Sequence, residues 1–76
     1  MDNNQIKKII GSFLDDLTDL SVSGQDCNFS IKIVSKDFKE MSTLERHKSI
    51  MRLFTDLLQS GELHAISLDL KAPGEF

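Results

Sequence analysis

A chain of 76 residues with a formal net charge of −3 has room for one domain and one core, and that charge argues against generic nucleic-acid binding. The single cysteine, Cys27, excludes an internal disulfide and suits a reducing compartment. No apolar run approaches the ~20 residues of a membrane span and no signal-peptide pattern opens the chain, so a cytoplasmic protein without a membrane role is expected, one domain over residues 1–76.

Asn3 to Leu17 carries Ile6, Ile9, Ile10, Phe13, Leu14 and Leu17 at helical spacing, with Asp2 or Asn3 as the cap. Asp15, Asp16 and Asp19 oppose the helix dipole at its end, so fraying is expected there. Leu20-Ser21-Val22-Ser23 alternates as a short strand, and Gly24-Gln25-Asp26 breaks it with turn residues. Phe29, Ile31 and Ile33 alternate with Ser30, Lys32 and Val34, which predicts a second strand and an antiparallel hairpin. Cys27 sits where the loop meets that strand. Lys36 to Met41 is charged and irregular, with Phe38 as a lone aromatic anchor and room for one helical turn near Phe38–Met41.

The stretch from Thr43 to Leu70 organises the rest. At about 100° per residue, Leu44, His47, Ile50, Met51, Phe54, Leu57 and Leu58 fall on one arc of a helix. Ser42 or Thr43 caps it, Glu45 supplies the third-position carboxylate of a capping box, and Gly61 fits the left-handed residue that ends it. A strand opening on Leu63-His64-Ala65 follows, with His64, Ile66, Leu68 and Leu70 on its core-facing row. Pro73 terminates the last strand. The expected core packs Phe29, Ile31, Ile33, Ile66, Leu68 and Leu70 against Ile6, Ile10, Phe13, Met51 and Phe54.

Charge is unevenly spread. Ser30 to Arg52 holds six bases (Lys32, Lys36, Lys39, Arg46, Lys48, Arg52) against three acids, a local +3, and the remainder holds three bases and nine acids. Such a region could meet an acidic partner or a nucleic acid, although a solvated face with lysines at ordinary frequency is the plainer reading.

Recognisable catalytic and metal templates are absent from the sequence. It has no Cys-x-x-Cys, no histidine pair at helical spacing, no acidic calcium loop and no Gly-rich phosphate loop. Both histidines, His47 and His64, lie in the organising stretch. Pattern alone reads His47 as a hydrogen-bonded core or boundary residue, His64 as a strand-end residue bonding a carbonyl, and Cys27 as a small buried or inert thiol.

Taken together, Phe29-Ser30-Ile31-Lys32-Ile33-Val34-Ser35, Phe38, Ser42-Thr43-Leu44-Glu45-Arg46-His47 and Gly61-Glu62-Leu63-His64-Ala65-Ile66-Ser67-Leu68 resemble the BolA family. The opening Met1-Asp2-Asn3-Asn4-Gln5-Ile6 and Val22-Ser23-Gly24 resemble its short IbaG-like branch. The resemblance implies an α+β domain of order α-β-β-α-α-β, similar to a type II KH domain, with helices on one face of a three-stranded mixed sheet. It implies a non-enzymatic partner of a monothiol glutaredoxin, with glutathione, that shares a [2Fe-2S] cluster in iron–sulfur trafficking or in iron or redox regulation. The ligands carried over are His64, which matches the family's ligand histidine, and Cys27, the candidate in the hairpin loop. In relatives with a loop histidine, that residue falls one place later, at Asn28.

One imidazole and one thiolate cannot fill four ligand positions, so a partner supplies the rest and the isolated chain is expected to be apo. It is expected to be a monomer alone, with a homodimer as the alternative. Stress response and transcription regulation are the cellular contexts the resemblance suggests. The alternative function is a KH-like nucleic-acid-binding or transcriptional regulator, which the basic stretch favours and the missing Gly-x-x-Gly clamp disfavours. The sequence also departs from the family pattern. Glu40 stands where a glycine is usual, and the chain ends Ala72-Pro73-Gly74-Glu75-Phe76 in place of Thr-Pro-x-x-Trp.

Overall fold

The computed structural model describes residues 2–26 and 28–75. Helix α1 (Asn3–Phe13) leads into strand β1 (Leu17–Gln25) and strand β2 (Asn28–Ser35). A one-turn 3-10 helix (Lys36–Phe38), helix α2 (Thr43–Ser60) and strand β3 (Ala65–Lys71) complete the chain. The α-β-β-α-α-β order is therefore present, with the second of its three helical elements reduced to a single 3-10 turn. The sheet order is β1-β2-β3. β1 pairs antiparallel with β2, and β2 pairs parallel with β3, so the sheet is mixed. No helix among the described residues is long and apolar enough to cross a membrane.

Both long helices begin on capping boxes. Asp2 accepts from the Gln5 amide at 2.9 Å while the Gln5 side chain accepts from the Asp2 amide. Ser42 and Glu45 repeat this at the start of α2. Gly61, at φ 85°, ends α2 in the left-handed region.

The expected first helix was too long and the expected first strand too short. α1 stops at Phe13, and Leu14 already has an extended backbone with ψ 131°. Asp15 and Asp16 are unfavourable at the negative end of a helix. The Asp16 amide instead donates to the Asp37 carboxylate at 2.9 Å, and its carbonyl accepts from Lys36. Leu17 thus opens β1. At the other end β1 runs through Gly24 and Gln25, which the sequence assigns to a turn. Gln25 pairs with Asn28, so the connection narrows to two residues, and Asp26 at φ 55° adopts the conformation a primed hairpin turn needs.

One sheet face carries the core. Phe29, Ile31, Ile33 and Ser35 alternate inward from β2 against Ile6, Ile10 and Leu14 of the first segment and Ile50 and Phe54 of α2, with Phe38 and Leu63 also buried. The reverse face is polar, bearing Ser21, Lys32 and Asp69. Two expectations shift. Phe13 is 46% exposed and Leu14 takes its place in the core. Ile66, Leu68 and Leu70 are packed on the core but only partly buried, because β3 is an edge strand, and Met51 of α2 is half-buried.

Helix α2 is rotated from the arc the pattern gives. Its buried residues are Arg46, Ile50 and Phe54, while Leu44 is 61% exposed and His47 is exposed. At about 100° per residue this is a turn of roughly 60° about the helix axis. The cause is Arg46. Its Nη1 and Nη2 donate to the two Glu75 carboxylate oxygens at 2.6 and 3.0 Å, Nη1 reaches the Leu70 carbonyl, and Nε reaches the Met41 carbonyl. Its guanidinium also lies 5.8 Å from the Phe38 ring centroid. A guanidinium with these partners can be buried, and burying it turns His47 outward.

Candidate functional site

Three local features fix His64. Gly61 breaks α2, the Leu63 amide donates back to the Leu57 carbonyl at 3.1 Å, and the Leu63 side chain is 1% exposed. With Leu63 anchored inward, His64 is exposed at the mouth of β3, one residue before the strand begins. The sequence places His64 inside the strand on its core-facing row. The structure corrects this, since buried Leu63 takes the inward position and the imidazole is free to meet another molecule.

Parallel pairing decides what lies beside it. Asn28 is in register with Ala65, so the start of β2 adjoins the start of β3, and the β1–β2 turn shares this end of the sheet with His64. The other predicted ligand, Cys27, lies outside the described residues, and its sequence neighbour Asn28 is the residue in that register. Gly24 builds the hairpin close to this point. A Cβ there would collide with the Asn28 carbonyl oxygen and stand 2.8 Å from the Phe29 Cα, so only glycine permits the approach.

His47 does not join His64. Its neighbour Arg46 bonds the Leu70 carbonyl near the far end of β3, whereas His64 precedes the near end. At about 3.3 Å per residue, five residues of strand separate the two ends by roughly 16 Å. Among the described residues no group of three or more His, Cys, Asp or Glu could hold a metal ion. A groove of about 560 Å³ between the start of α1 and Gly24 and Phe29 does not include His64 and gathers no catalytic group beyond Asp2 and Lys7.

The basic stretch does not form one surface either. Lys32 lines the open sheet face, Arg46 is consumed by Glu75, and Lys48 and Arg52 line a groove on α2. Glu75 was not identifiable as a functional or structural partner from local pattern. Its carboxyl is lowered to about 2, chiefly by the Arg46 hydrogen bonds and then by the Ala72 amide, which donates at 3.1 Å. The same pairing raises Arg46 above its ordinary value. The clasp closes the turn in which the Glu75 amide donates to Ala72, and it holds the end of β3 against α2.

The family model for BolA-like proteins matches residues 12–75. The chain belongs to the BolA-like family. The chloroplastic BOLA1 protein of Arabidopsis thaliana is 40% identical over 50 residues, 66% of this chain and 31% of that protein. The solved structure of BolA1 from Arabidopsis thaliana superposes with a TM-score of 0.84 at 27% identity, covering 100% of this chain and 99% of the other. The BolA domain of SufE1 from the same plant gives 0.82 at 30% identity, again over 100% and 99%. This chain spans less than half the length of the curated relatives it matches, at 46%, 31% and 13%. The BolA-like fold is thus a unit that also occurs inside longer proteins.

Proposed function

We propose that this BolA-like chain is a non-enzymatic partner of a monothiol glutaredoxin and contributes His64 to a [2Fe-2S] cluster held between the two proteins. The observation that carries the reading is the exposed His64, projected from the mouth of a sheet strand by the buried Leu63 and flanked by the hairpin turn. His64 sits one residue outside β3, held between the inward-anchored Leu63 and the start of the strand.

The donor set fits a shared group and not a private one. An imidazole is a competent iron ligand in [2Fe-2S] centres where it replaces thiolate, and it raises the reduction potential. A single exposed imidazole cannot retain a cluster, and the described residues offer no second cluster-forming set. The remaining ligands therefore come from the glutaredoxin and its glutathione, with Cys27 the candidate second ligand from this chain. When bound, the cluster supplies the redox and transfer chemistry. This chain's part is to present His64 on a rigid base and to close one side of the site. The domain's occurrence as one part of a SufE-like protein supports its reading as a module that works beside another protein.

The test is to mix the full chain with a monothiol glutaredoxin and glutathione under anaerobic reconstitution, then follow visible absorption and complex size. The proposal expects a heterodimer whose cluster spectrum differs from that of the glutaredoxin alone. A complex with an unchanged spectrum makes this a plain interaction module. No complex at all, together with retention of a labelled oligonucleotide, favours a nucleic-acid role.

A further inference from the structure

A second surface lies at the end of the sheet remote from His64. Phe13 and Leu14 at the end of α1, Phe38 of the 3-10 turn and Met41 line an apolar groove of about 230 Å³. An apolar cavity of about 150 Å³ holds benzene, so this space admits an aromatic ring or a leucine side chain. Phe13 is 46% exposed, a bulky ring half in water at the groove's edge. Through Met41 and Ser49 the groove continues into a second one, of about 210 Å³, bordered by Lys48 and Arg52.

The acids that border these grooves are already engaged. Asp37 accepts from the Asp16 amide at 2.9 Å and the Ser35 hydroxyl at 2.6 Å, and Glu45 accepts from the Ser42 amide at 2.8 Å. Lys48 and Arg52 have no acidic partner within ion-pair distance among the described residues. The groove therefore pairs an apolar slot with two uncommitted cations at one end.

We propose that this groove docks a partner protein through a segment carrying one bulky apolar side chain followed by acidic residues. The apolar side chain fills the slot against Phe13 and Met41, and the carboxylates extend toward Lys48 and Arg52. The two cations lie at one end only, so charge sets the direction as well as the affinity. A nucleic-acid strand fits less well, because two cations can neutralise few of its phosphates.

The surface is independent of the His64 site. It adjoins the Ser35 end of β2 while His64 adjoins the Asn28 end, and eight residues of strand put them roughly 23 Å apart. A partner here leaves the His64 end free for a glutaredoxin.

The test uses the full chain labelled with nitrogen-15 and a short synthetic peptide of one phenylalanine followed by aspartates and glutamates. Saturable amide shifts are expected at Phe13, Leu14, Met41, Ser49 and Arg52, and equally in His64→Ala. Phe13→Ala, which alters a half-exposed ring and leaves the core intact, should weaken binding at least about tenfold. The Lys48→Gln, Arg52→Gln double variant should abolish the salt dependence of what remains. The proposal is overturned if a peptide with lysines in place of the acids binds as well, or if the shifts fall elsewhere or are absent. Tighter capture of a single-stranded oligonucleotide by the same amides would also overturn it.

Discussion

Truncating Phe54 to alanine, with Leu44→Ala as its control, tests the orientation of α2. Both residues fall on one arc of the sequence pattern, yet Phe54 is 0% exposed and Leu44 is 61% exposed. Removing a fully buried phenylalanine ring costs about 3–5 kcal/mol, from lost transfer energy and the cavity left behind. At about 0.05–0.15 kcal/mol per residue, a chain of this length has roughly 4–11 kcal/mol to lose. Phe54→Ala should therefore remove much of the stability, and Leu44→Ala should stay within about 0.5 kcal/mol of the parent. With no tryptophan or tyrosine in the chain, far-ultraviolet circular dichroism during urea unfolding is the assay. If Leu44→Ala shifted the midpoint as far as Phe54→Ala, the helix would be rotated back toward the arc read from sequence, and the burial of Arg46 would be wrong.

The same rotation predicts that Arg46→Ala costs about 1–3 kcal/mol, by stranding the Leu70 and Met41 carbonyls and losing stem packing, while His47→Ala is near neutral; urea midpoints compare them directly. Because the Glu75 pKa is lowered on folding, from 4.5 to about 2, its contribution is fully present above 4.5 and is lost as pH falls toward 2. Glu75→Gln should flatten the pH dependence of thermal unfolding in that window and leave the slope above it unchanged. Gly24→Ala, at φ 129° and against the Asn28 carbonyl, should cost at least about 1–3 kcal/mol and broaden amide signals of the hairpin first, as hydrogen exchange or nuclear magnetic resonance would show.

What could be read in the sequence was local. Ser42 and Glu45 announce a capping box three residues apart, and Gly61 announces the helix end, because each feature is completed within a few residues. The alternation from Phe29 to Ile33 fixed the buried face of β2 for the same reason. The rotation of α2 was hidden, since the partner that permits Arg46 to be buried lies 29 residues further on. A charged residue without a visible partner reads as solvent-facing, which shifts the apolar arc toward Leu44 and His47. The family resemblance singles out His64 as a candidate ligand, and the structure places it at the strand mouth, one residue before β3. Its exposure was not recoverable from alternation, because the docking of Leu63 depends on packing against the rest of the core. The neighbourhood of His64 depends likewise on the parallel register of Asn28 with Ala65, which joins segments far apart in the chain.

The central claim is that His64 is an iron ligand at a site shared with a glutaredoxin. The most direct measurement is the visible circular dichroism of the cluster reconstituted between a monothiol glutaredoxin and either the parent chain or His64→Ala, followed over time. Because His64 is exposed, thermal unfolding of the variant should match the parent and show that the fold is intact. The account predicts that His64→Ala loses the spectrum characteristic of the heterodimer or releases the cluster far faster. A parent-like spectrum and cluster lifetime in His64→Ala would contradict it.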